Sequence, residues 1–278
     1  MAPRIGLIVT GNQALEELRI FTKTLEMWHP DAILYIYTDS DTDISSIKFK
    51  GTIHCMVQLD DYLGKRRYEM ESLPGKRYNT LFKDYTFEKA NVLEWIFERE
   101  QPDGVWFLDV DICFLAPLPS IPSTKTLALC PHYIRESDAA KFGFYNAGFL
   151  WMKDPTYIAH WRAAGVRSRF YEQAALEDIA QLAKQEDALY EFPIQVNFGW
   201  WRMFQASDDP NVIQSKFSIF RQDASIGVRY DGQALQSIHT HWNNQGEYAL
   251  QAFNTWFRLF LKKVESHAPA KTFRSAIR

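Results

Sequence analysis

The chain has 278 residues, of which 46% are hydrophobic, 15% aromatic and 23% charged. This composition supports a sizeable core and excludes a wholly disordered chain, and the length fits one large domain. With 31 Lys and Arg against 34 Asp and Glu, the formal charge is −3. A charge so close to neutral argues against a general nucleic-acid-binding protein.

The sequence predicts a soluble, cytoplasmic protein. No apolar run approaches the roughly 18 residues that a membrane helix needs, and the apolar stretch at the N-terminus is too short for a signal peptide. The cysteines are odd in number and lie in apolar contexts, which is typical of reduced core thiols. They are Cys55, Cys113 and Cys130.

Short apolar runs alternate with helical patterns over the first part of the chain. The predicted strands cover residues 4–10, 32–38, 52–58 and 105–108, and the predicted helices cover residues 14–28 and 85–99. A Gly11-Asn12 turn is predicted between the first strand and the first helix. Strands that alternate with helices indicate crossover connections and a mostly parallel central sheet flanked by helices.

The pattern is looser in the second part of the chain. Strands are predicted at residues 126–130, 148–152 and 237–241, and helices at residues 171–185 and 249–264. Because no linker or repeat interrupts the chain, we expect one α/β domain over residues 1–265. The polar and basic residues 266–278 are predicted to form a frayed, flexible tail.

The most specific pattern is a pair of aspartates inside an apolar stretch. Asp109 and Asp111 have four large apolar residues before them and four, one a cysteine, after them. Ionised carboxylates are costly to bury, and two neighbouring ones repel each other. If the segment is extended, both lie on one face and form an oxygen pair suited to Mg²⁺ or Mn²⁺. A solvated turn would not need such flanks, so the pair predicts a metal site at a strand end.

Four further segments accompany this pair in a particular order. They are the helix at residues 87–93, Asn-Ala-Gly at 146–148, Glu172-Gln173 followed by Phe192-Pro193 and Asn197-Phe198, and the strand at 237–241. Together with the Asp-Val-Asp strand they resemble the GT-A class of nucleotide-sugar-dependent glycosyltransferases, over about residues 4–245. In size the chain is similar to the soluble glycosyltransferases of large algal viruses.

This resemblance implies a fold and an activity. The fold is a GT-A-type single domain, with a nucleotide-binding half at about residues 1–115 and a sugar and acceptor half at 116–265. The activity is transfer of a sugar from a nucleotide diphosphate donor, expected to be a UDP-sugar, to a glycan or other hydroxyl acceptor. A bound Mn²⁺ or Mg²⁺ would neutralise charge on the leaving nucleoside diphosphate.

The resemblance also assigns metal ligands. Asp111 is expected to coordinate the ion directly, and Asp109 to face the ribose or reach the metal through water. A histidine from the late strand would supply a nitrogen ligand, either His239 or His241. Because alternate residues of a strand share one face, the sequence does not separate the two.

The expected nucleotide-binding residues follow the first two strands, where a doubly wound sheet meets its nucleotide. Thr10 and Asn12 follow the first strand and Asp39 follows the second. Lys89 matches the family position of a basic residue near the nucleotide or its phosphates. Ordinary turn chemistry is the competing explanation for Thr10 and Asp39, and a solvated helix lysine is the competing explanation for Lys89.

The sugar pocket is expected to be lined by Asn146, Ala147 and Gly148, by resemblance. Trp200 and Trp201 stand beside a glycine and offer a flat apolar surface that matches the C–H face of a pyranose. Core packing is the alternative role for such tryptophans.

Two mutually exclusive readings exist for the catalytic residues. Glu172 and Gln173 resemble the pair found beneath the sugar in retaining members, with Glu in place of the family's Asp. Glu177 and Asp178 resemble the acidic pair of inverting members, in which Asp178 would be the general base. We favour Glu172-Gln173 as the sugar-facing pair and leave the stereochemistry open.

Three other functions compete with this one. A sugar nucleotidyltransferase or a sugar-phosphate hydrolase can share the fold and an acidic metal pair, and a non-catalytic carbohydrate-binding protein would explain the aromatic residues. Pyrophosphorylases of the first kind are expected to carry a glycine-rich basic loop after the first strand, unlike residues 10–13 here. A carbohydrate-binding protein leaves Asp109 and Asp111 without a role.

Overall fold

A computed structural model describes residues 2–222, 225–242 and 247–265. Within these residues the strands are β1 (Arg4–Val9), β2 (Ile33–Thr38), β3 (Thr52–Val57), β4 (Val105–Leu108), β5 (Ile112–Phe114), β6 (Leu127–Pro131), β7 (Tyr145–Met152), β8 (Leu189–Glu191), β9 (Phe198–Gly199), β10 (Phe217–Gln222), β11 (Ser225–Tyr230), β12 (Gln233–Ala234) and β13 (Ser237–His239). The helices are α1 (Gly11–Glu26), α2 (Arg67–Ser72), α3 (Leu81–Glu100), α4 (Glu136–Phe142), α5 (Thr156–Gly165), α6 (Leu176–Gln185), α7 (Arg202–Gln205), α8 (Pro210–Ser215) and α9 (Tyr248–Glu265).

The central sheet has seven strands in the order β3-β2-β1-β4-β7-β6-β8. Neighbours pair in parallel except at β7, which runs antiparallel to both β4 and β6. The prediction of an α/β fold with a mostly parallel sheet flanked by helices is therefore confirmed. Strands β6, β7 and β8 come from the second half of the chain, so the sheet continues across the expected division near residue 115.

Helices cover both faces of the sheet. Successive side chains of a strand point to opposite faces, so neighbouring residues pack against different helices. Phe107 packs on the face covered by α3, α5 and α6, whereas its neighbours Trp106 and Leu108 pack with α1 on the other face. Strands buried on both faces read as continuous apolar runs, which explains why β1, β2 and β4 could be predicted. β3 lies at the sheet edge and is partly exposed.

The second half of the chain adds two small sheets, β5-β13-β9 and β10-β11-β12. They pack with α9 around a third core that is rich in aromatic rings. Phe198, Phe217, Phe253 and Phe257 form a connected set of ring contacts there. Part of the chain's 15% aromatic content therefore stabilises this part of the fold. Residues 266–278, the predicted tail, lie outside the described residues.

Three local predictions differ from the structure. Gly11 and Asn12 were predicted as a turn but form the first turn of α1. The Asp-Val-Asp segment is a turn between β4 and β5, rather than an extended strand. The helix predicted from residue 171 begins only at Leu176, and Tyr171, with a φ of 39°, lies outside it. That left-handed conformation is incompatible with the interior of an α-helix.

The cysteines also differ in their environment. Cys113 and Cys130 are buried, as predicted, and burial raises the pKa of both thiols to about 12. Cys55 is exposed on β3, at the edge of the central sheet, so its prediction as a core thiol is wrong. None of the helices within the described residues is long and apolar enough to cross a membrane.

Candidate active site

A cavity of about 670 Å³ opens at the carboxyl ends of β1 and β4. Thr10 follows β1 and Asp109 follows β4, and both residues line it. The carboxyl edge of a parallel sheet is where open α/β folds bind their ligands, because the loops from neighbouring strands diverge there. The predicted metal turn therefore lies at the edge that this fold class uses for ligands.

The turn between β4 and β5 brings the two aspartates together with one histidine. Asp109, Asp111 and His239 each offer a ligand atom, and these atoms lie within 4.8 Å of one another. His239 Nε2 is 3.1 Å from Asp111 Oδ1 and 3.8 Å from Asp109 Oδ2. The carboxylates thus converge through a turn, and not through the extended segment that was the condition for placing both on one face.

Pairing between β13 and β5 carries the histidines to this turn. His239 lies opposite Ile112 in the antiparallel register, and Thr240 N donates to Asp111 O at 3.0 Å. His241 Nδ1 is 3.3 Å from Asp111 Oδ2, with its side chain 48% exposed. Both histidines therefore reach Asp111, and His239 is the one that completes the buried cluster.

The charge and chemistry of this cluster fit a divalent cation. Burial by itself would raise the pKa of Asp111, but the adjacent imidazoles of His239 and His241 hold it well below its usual range. Asp111 is therefore an anion. Two carboxylates provide the hard oxygen ligands that Mg²⁺ and Mn²⁺ prefer, and an imidazole adds the nitrogen ligand common in transition-metal sites.

Lys89 on α3 joins the metal turn to the loop that carries Glu172. Its Nζ is 3.2 Å from Asp109 Oδ1 and 2.9 Å from Glu172 Oε1. Burial would lower the pKa of Lys89, but these two carboxylates raise it above its ordinary value. The lysine is therefore a fixed cation in the cavity wall, and its contact with a phosphate stays a prediction. On the same helix, Lys83 Nζ donates to Ser168 O at 3.1 Å.

The loop before α6 presents Glu172 and Gln173 to the cavity. Trp161 Nε1 donates to Glu172 O at 2.8 Å, and Gln173 Nε2 donates to Phe142 O at 2.8 Å. Gln173 Oε1 also accepts from Ala147 N at 3.4 Å. These tertiary contacts hold residues 171–175 outside the predicted helix and place both side chains beside the Asn-Ala-Gly segment.

Residues 146–148 of β7 lie next to the candidate metal cluster. A Cβ on Gly148 would lie 2.2 Å from Asp109 Oδ2 and 2.5 Å from His239 Cε1. Only glycine fits there without displacing a side chain of the candidate metal cluster. Asn146 is buried and lines the cavity, and Ala147 O lies 3.4 Å from Lys89 Nζ.

The paired tryptophans are both partly buried and both line the cavity. The Trp201 ring lies 5.0 Å from the His239 ring, nearly perpendicular to it at 76°. Trp200 N donates to His239 O at 3.1 Å. The two residues therefore support the late strand while leaving part of their surface to the cavity, and a role in binding sugar stays a prediction.

The expected nucleotide-binding residues are in different environments. Thr10 lines the cavity, with its hydroxyl 3.3 Å from that of Tyr85. Asn12 is exposed in the first turn of α1. Asp39 is buried and accepts from Gly11 N at 3.2 Å and from Thr42 Oγ1 at 2.8 Å. Its carboxylate therefore anchors the start of α1, as the turn explanation for this residue implies.

Asp178 does not line the central cavity with the other catalytic candidates. It is exposed on α6 and lines a separate surface pocket together with Arg167 and Leu182. The described structure therefore brings Glu172 and Gln173 to the central cavity and leaves Asp178 on another surface of the same helical region.

Two buried basic residues near the cavity were missed from the sequence. His132 lines the cavity, and Arg202 lies just behind it in the chain segment that follows the tryptophans. Arg202 stands between Trp201 and Met203, so a cation inside an apolar run was a signal of the same kind as the aspartates. His132 had no such signal.

The pH dependence of stability is expected to report on His132. Burial lowers the pKa of His132 from 6.5 to about 4. Between these two pH values His132 is protonated in the unfolded chain but neutral in the folded chain. The contribution of His132 to the free energy of unfolding is therefore complete above pH 6.5, and about 3 kcal/mol of it is lost as the pH falls from 6.5 to about 4. We expect the variant His132→Gln to lack this component when unfolding free energies are measured by denaturant titration across the window. An unchanged pH slope in the variant would contradict this assignment.

Comparison with solved structures identifies glycosyltransferases that have this fold. The galactosyltransferase LgtC, solved in complex with donor and acceptor sugar analogues, matches with a TM-score of 0.54 and 14% identity, over 91% of this chain and 94% of that one. The apo form of the glycosyltransferase GlyE from Streptococcus pneumoniae TIGR4 matches with a TM-score of 0.54 and 15% identity, over 95% of this chain and 64% of that one. No family model matches the chain, and no curated protein matches its sequence.

At these identities the comparison establishes the fold. The chain has a GT-A-type fold, as the sequence resemblance implied, and the Asp-x-Asp turn lies at the ligand-binding edge of its sheet. The expected similarity to the enzymes of large algal viruses is not shown by these comparisons.

Proposed function

We propose that this protein is a metal-dependent glycosyltransferase that moves a sugar from a nucleoside diphosphate donor, a UDP-sugar, to a hydroxyl acceptor on a glycan. The observation that carries the proposal is the cluster of Asp109, Asp111 and His239 beside the large cavity at the sheet edge. When bound there, a divalent cation supplies positive charge that stabilises the leaving nucleoside diphosphate.

The residues around the cluster support separate tasks within this proposal. Thr10 at the end of β1 offers a hydroxyl to the nucleotide, and Asp109 and Asp111 hold the cation. Glu172 forms an ion pair with Lys89, whose Nζ lies 2.9 Å from Glu172 Oε1. Gln173 is held by Phe142 and Ala147, so its amide is fixed against the wall where the donor sugar is expected.

A donor screen distinguishes this function from its competitors. The protein is incubated with Mn²⁺ and a panel of nucleotide sugars, with and without glycan acceptors, and the released nucleotide is identified. Transfer predicts metal-dependent release of UDP from a UDP-sugar. Release of UMP or of inorganic phosphate would indicate a hydrolase. Production of pyrophosphate from UTP and a sugar phosphate would indicate a nucleotidyltransferase. Glycan binding without any turnover would indicate a carbohydrate-binding protein.

A matched pair of variants separates the two catalytic readings. Glu172→Gln and Asp178→Asn each replace one carboxylate by an amide of the same size. We expect Glu172→Gln to lower kcat about 10²-fold, because it removes the charge beside Lys89 and the sugar wall, and Asp178→Asn to leave kcat within about twofold. The readout is the initial rate of UDP release. A larger loss in Asp178→Asn would favour the inverting reading.

A further inference from the structure

One fully buried amide connects the metal-site histidine to the sugar-pocket asparagine. Asn197 has 0% of its surface exposed. Its Nδ2 donates to Asn146 Oδ1 at 3.1 Å, and its Oδ1 lies 3.2 Å from His239 Nδ1. Asn197 therefore contacts one residue of the metal cluster and one residue of the cavity wall at the same time.

The hydrogen-bond pattern fixes which atom faces which. Gly148 N is a backbone donor and lies 3.1 Å from the Asn146 side-chain oxygen, so that oxygen points inward. The group of Asn197 that meets the same oxygen must be its NH₂. The carbonyl oxygen of Asn197 is then the atom that faces His239, and His239 Nδ1 must carry a proton to donate to it.

This arrangement determines the coordinating nitrogen of His239. Because Nδ1–H is committed to Asn197, the lone pair available for a cation is on Nε2. That nitrogen is the atom that lies 3.1 Å from Asp111 Oδ1. Metal-binding histidines commonly donate their other ring N–H to an oxygen in this way, which fixes the tautomer and the ring orientation.

The backbone around Asn197 is held firmly enough for this task. Arg202 Nη1 donates to Asn197 O at 2.5 Å, and Ser237 Oγ donates to Val196 O at 2.6 Å. Strand β9, which starts at the next residue, pairs in parallel with β13. The segment that carries Asn197 is therefore anchored to the strand that carries His239.

We propose that Asn197 is a positioning residue of the metal site: its side-chain oxygen orients His239 Nε2 toward the cation, and its NH₂ group holds Asn146 in the sugar wall. This inference rests on the proposed metal-dependent function. It predicts that substitutions can separate the effect of the side-chain oxygen from that of the NH₂ group, because only the oxygen contacts His239.

The test measures Mn²⁺ affinity by the EPR signal of free Mn²⁺, with UDP present at a fixed concentration. Asn197→Leu removes both the side-chain oxygen and the NH₂ group and is expected to weaken Mn²⁺ binding about 10- to 100-fold. Asn197→Asp keeps an oxygen toward His239 and removes the donor to Asn146, so its Mn²⁺ affinity is expected to stay within about threefold of the wild type. Its KM for the donor sugar is expected to rise, because Asn146 loses its partner.

Gln195→Leu is the matched control, because it removes a buried side-chain hydrogen bond two residues away, to Tyr230 O at 3.2 Å. It is expected to bind Mn²⁺ as the wild type does. In histidine-labelled protein loaded with Mg²⁺ and UDP, long-range ¹H–¹⁵N NMR is expected to show His239 protonated at Nδ1.

Unchanged Mn²⁺ affinity in Asn197→Leu would overturn the inference, as would a loss in Asn197→Asp as large as in Asn197→Leu. If Asn197→Leu does not fold, the Asn197→Asp result and the NMR spectrum of the wild type still decide it. An Nδ1 without a proton would contradict the assignment. Failure of the wild type to bind Mn²⁺ with UDP would instead overturn the proposed function.

Discussion

Replacing Asp111 by asparagine is expected to lower sugar transfer about 10³-fold, which corresponds to several kcal/mol of lost charge stabilisation. Asn keeps the size of the side chain but removes the negative charge that lies against His239 and His241. The carboxylate is the most buried member of the cluster, so no solvent molecule can easily replace it. The measurement is kcat/KM for UDP release at saturating Mn²⁺, together with a circular dichroism spectrum of the variant.

Asp103→Asn is the matched control for this experiment. Asp103 is exposed just before β4, whereas Asp109 and Asp111 follow the same strand at its other end. We expect Asp103→Asn to retain wild-type activity. An active Asp111→Asn variant would contradict the assignment of this carboxylate to the metal, and loss of the folded spectrum would show that the carboxylate is structural.

Replacing Arg202 by methionine is expected to lower the free energy of unfolding by about 3–5 kcal/mol. Arg202 is 1% exposed, and its guanidinium donates to four backbone carbonyls. These are the carbonyls of Pro131, His132, Ile194 and Asn197. Burial lowers its pKa to about 10, so it remains charged at neutral pH. Methionine fills much of the volume but leaves these carbonyls without their donor.

Arg169→Met provides the comparison, because Arg169 also donates to two backbone carbonyls, those of Ala139 and Ala140, but is 44% exposed. Water can replace an exposed donor, so the expected cost is below about 1 kcal/mol. Urea denaturation of both variants checks this. Equal losses of unfolding free energy in the two variants would mean that the burial of Arg202 does not increase its contribution to stability.

The parts of the fold that could be predicted are those in which local pattern and tertiary environment agree. β1 and β2 are buried on both faces and therefore appear as apolar runs. Asp109 and Asp111 could be recognised because charge inside such a run demands a partner. The start of α6 could not be predicted, because residues 171–175 are held by contacts with Trp161 and Lys89, which are distant in sequence.

The same reason explains what was missed in the site. Strand alternation could not separate His239 from His241, and only the turn at Asp111 shows that His239 also reaches Asp109. Arg202 meets carbonyls about 70 residues earlier in the chain, and no local pattern encodes such a contact. A charged residue inside an apolar run indicates that it has a polar partner, but only the fold shows which residue that partner is.

The central claim is that a divalent cation and a nucleoside diphosphate bind together beside Asp109, Asp111 and His239. Titration calorimetry of the protein with UDP, once with Mn²⁺ and once with a chelator, tests it most directly. Because Asp109, Asp111 and His239 would hold the cation, and its positive charge would attract the diphosphate, we expect UDP binding with Mn²⁺ and its loss with the chelator. Equal UDP affinity in the two titrations, or no binding in either, would contradict the account.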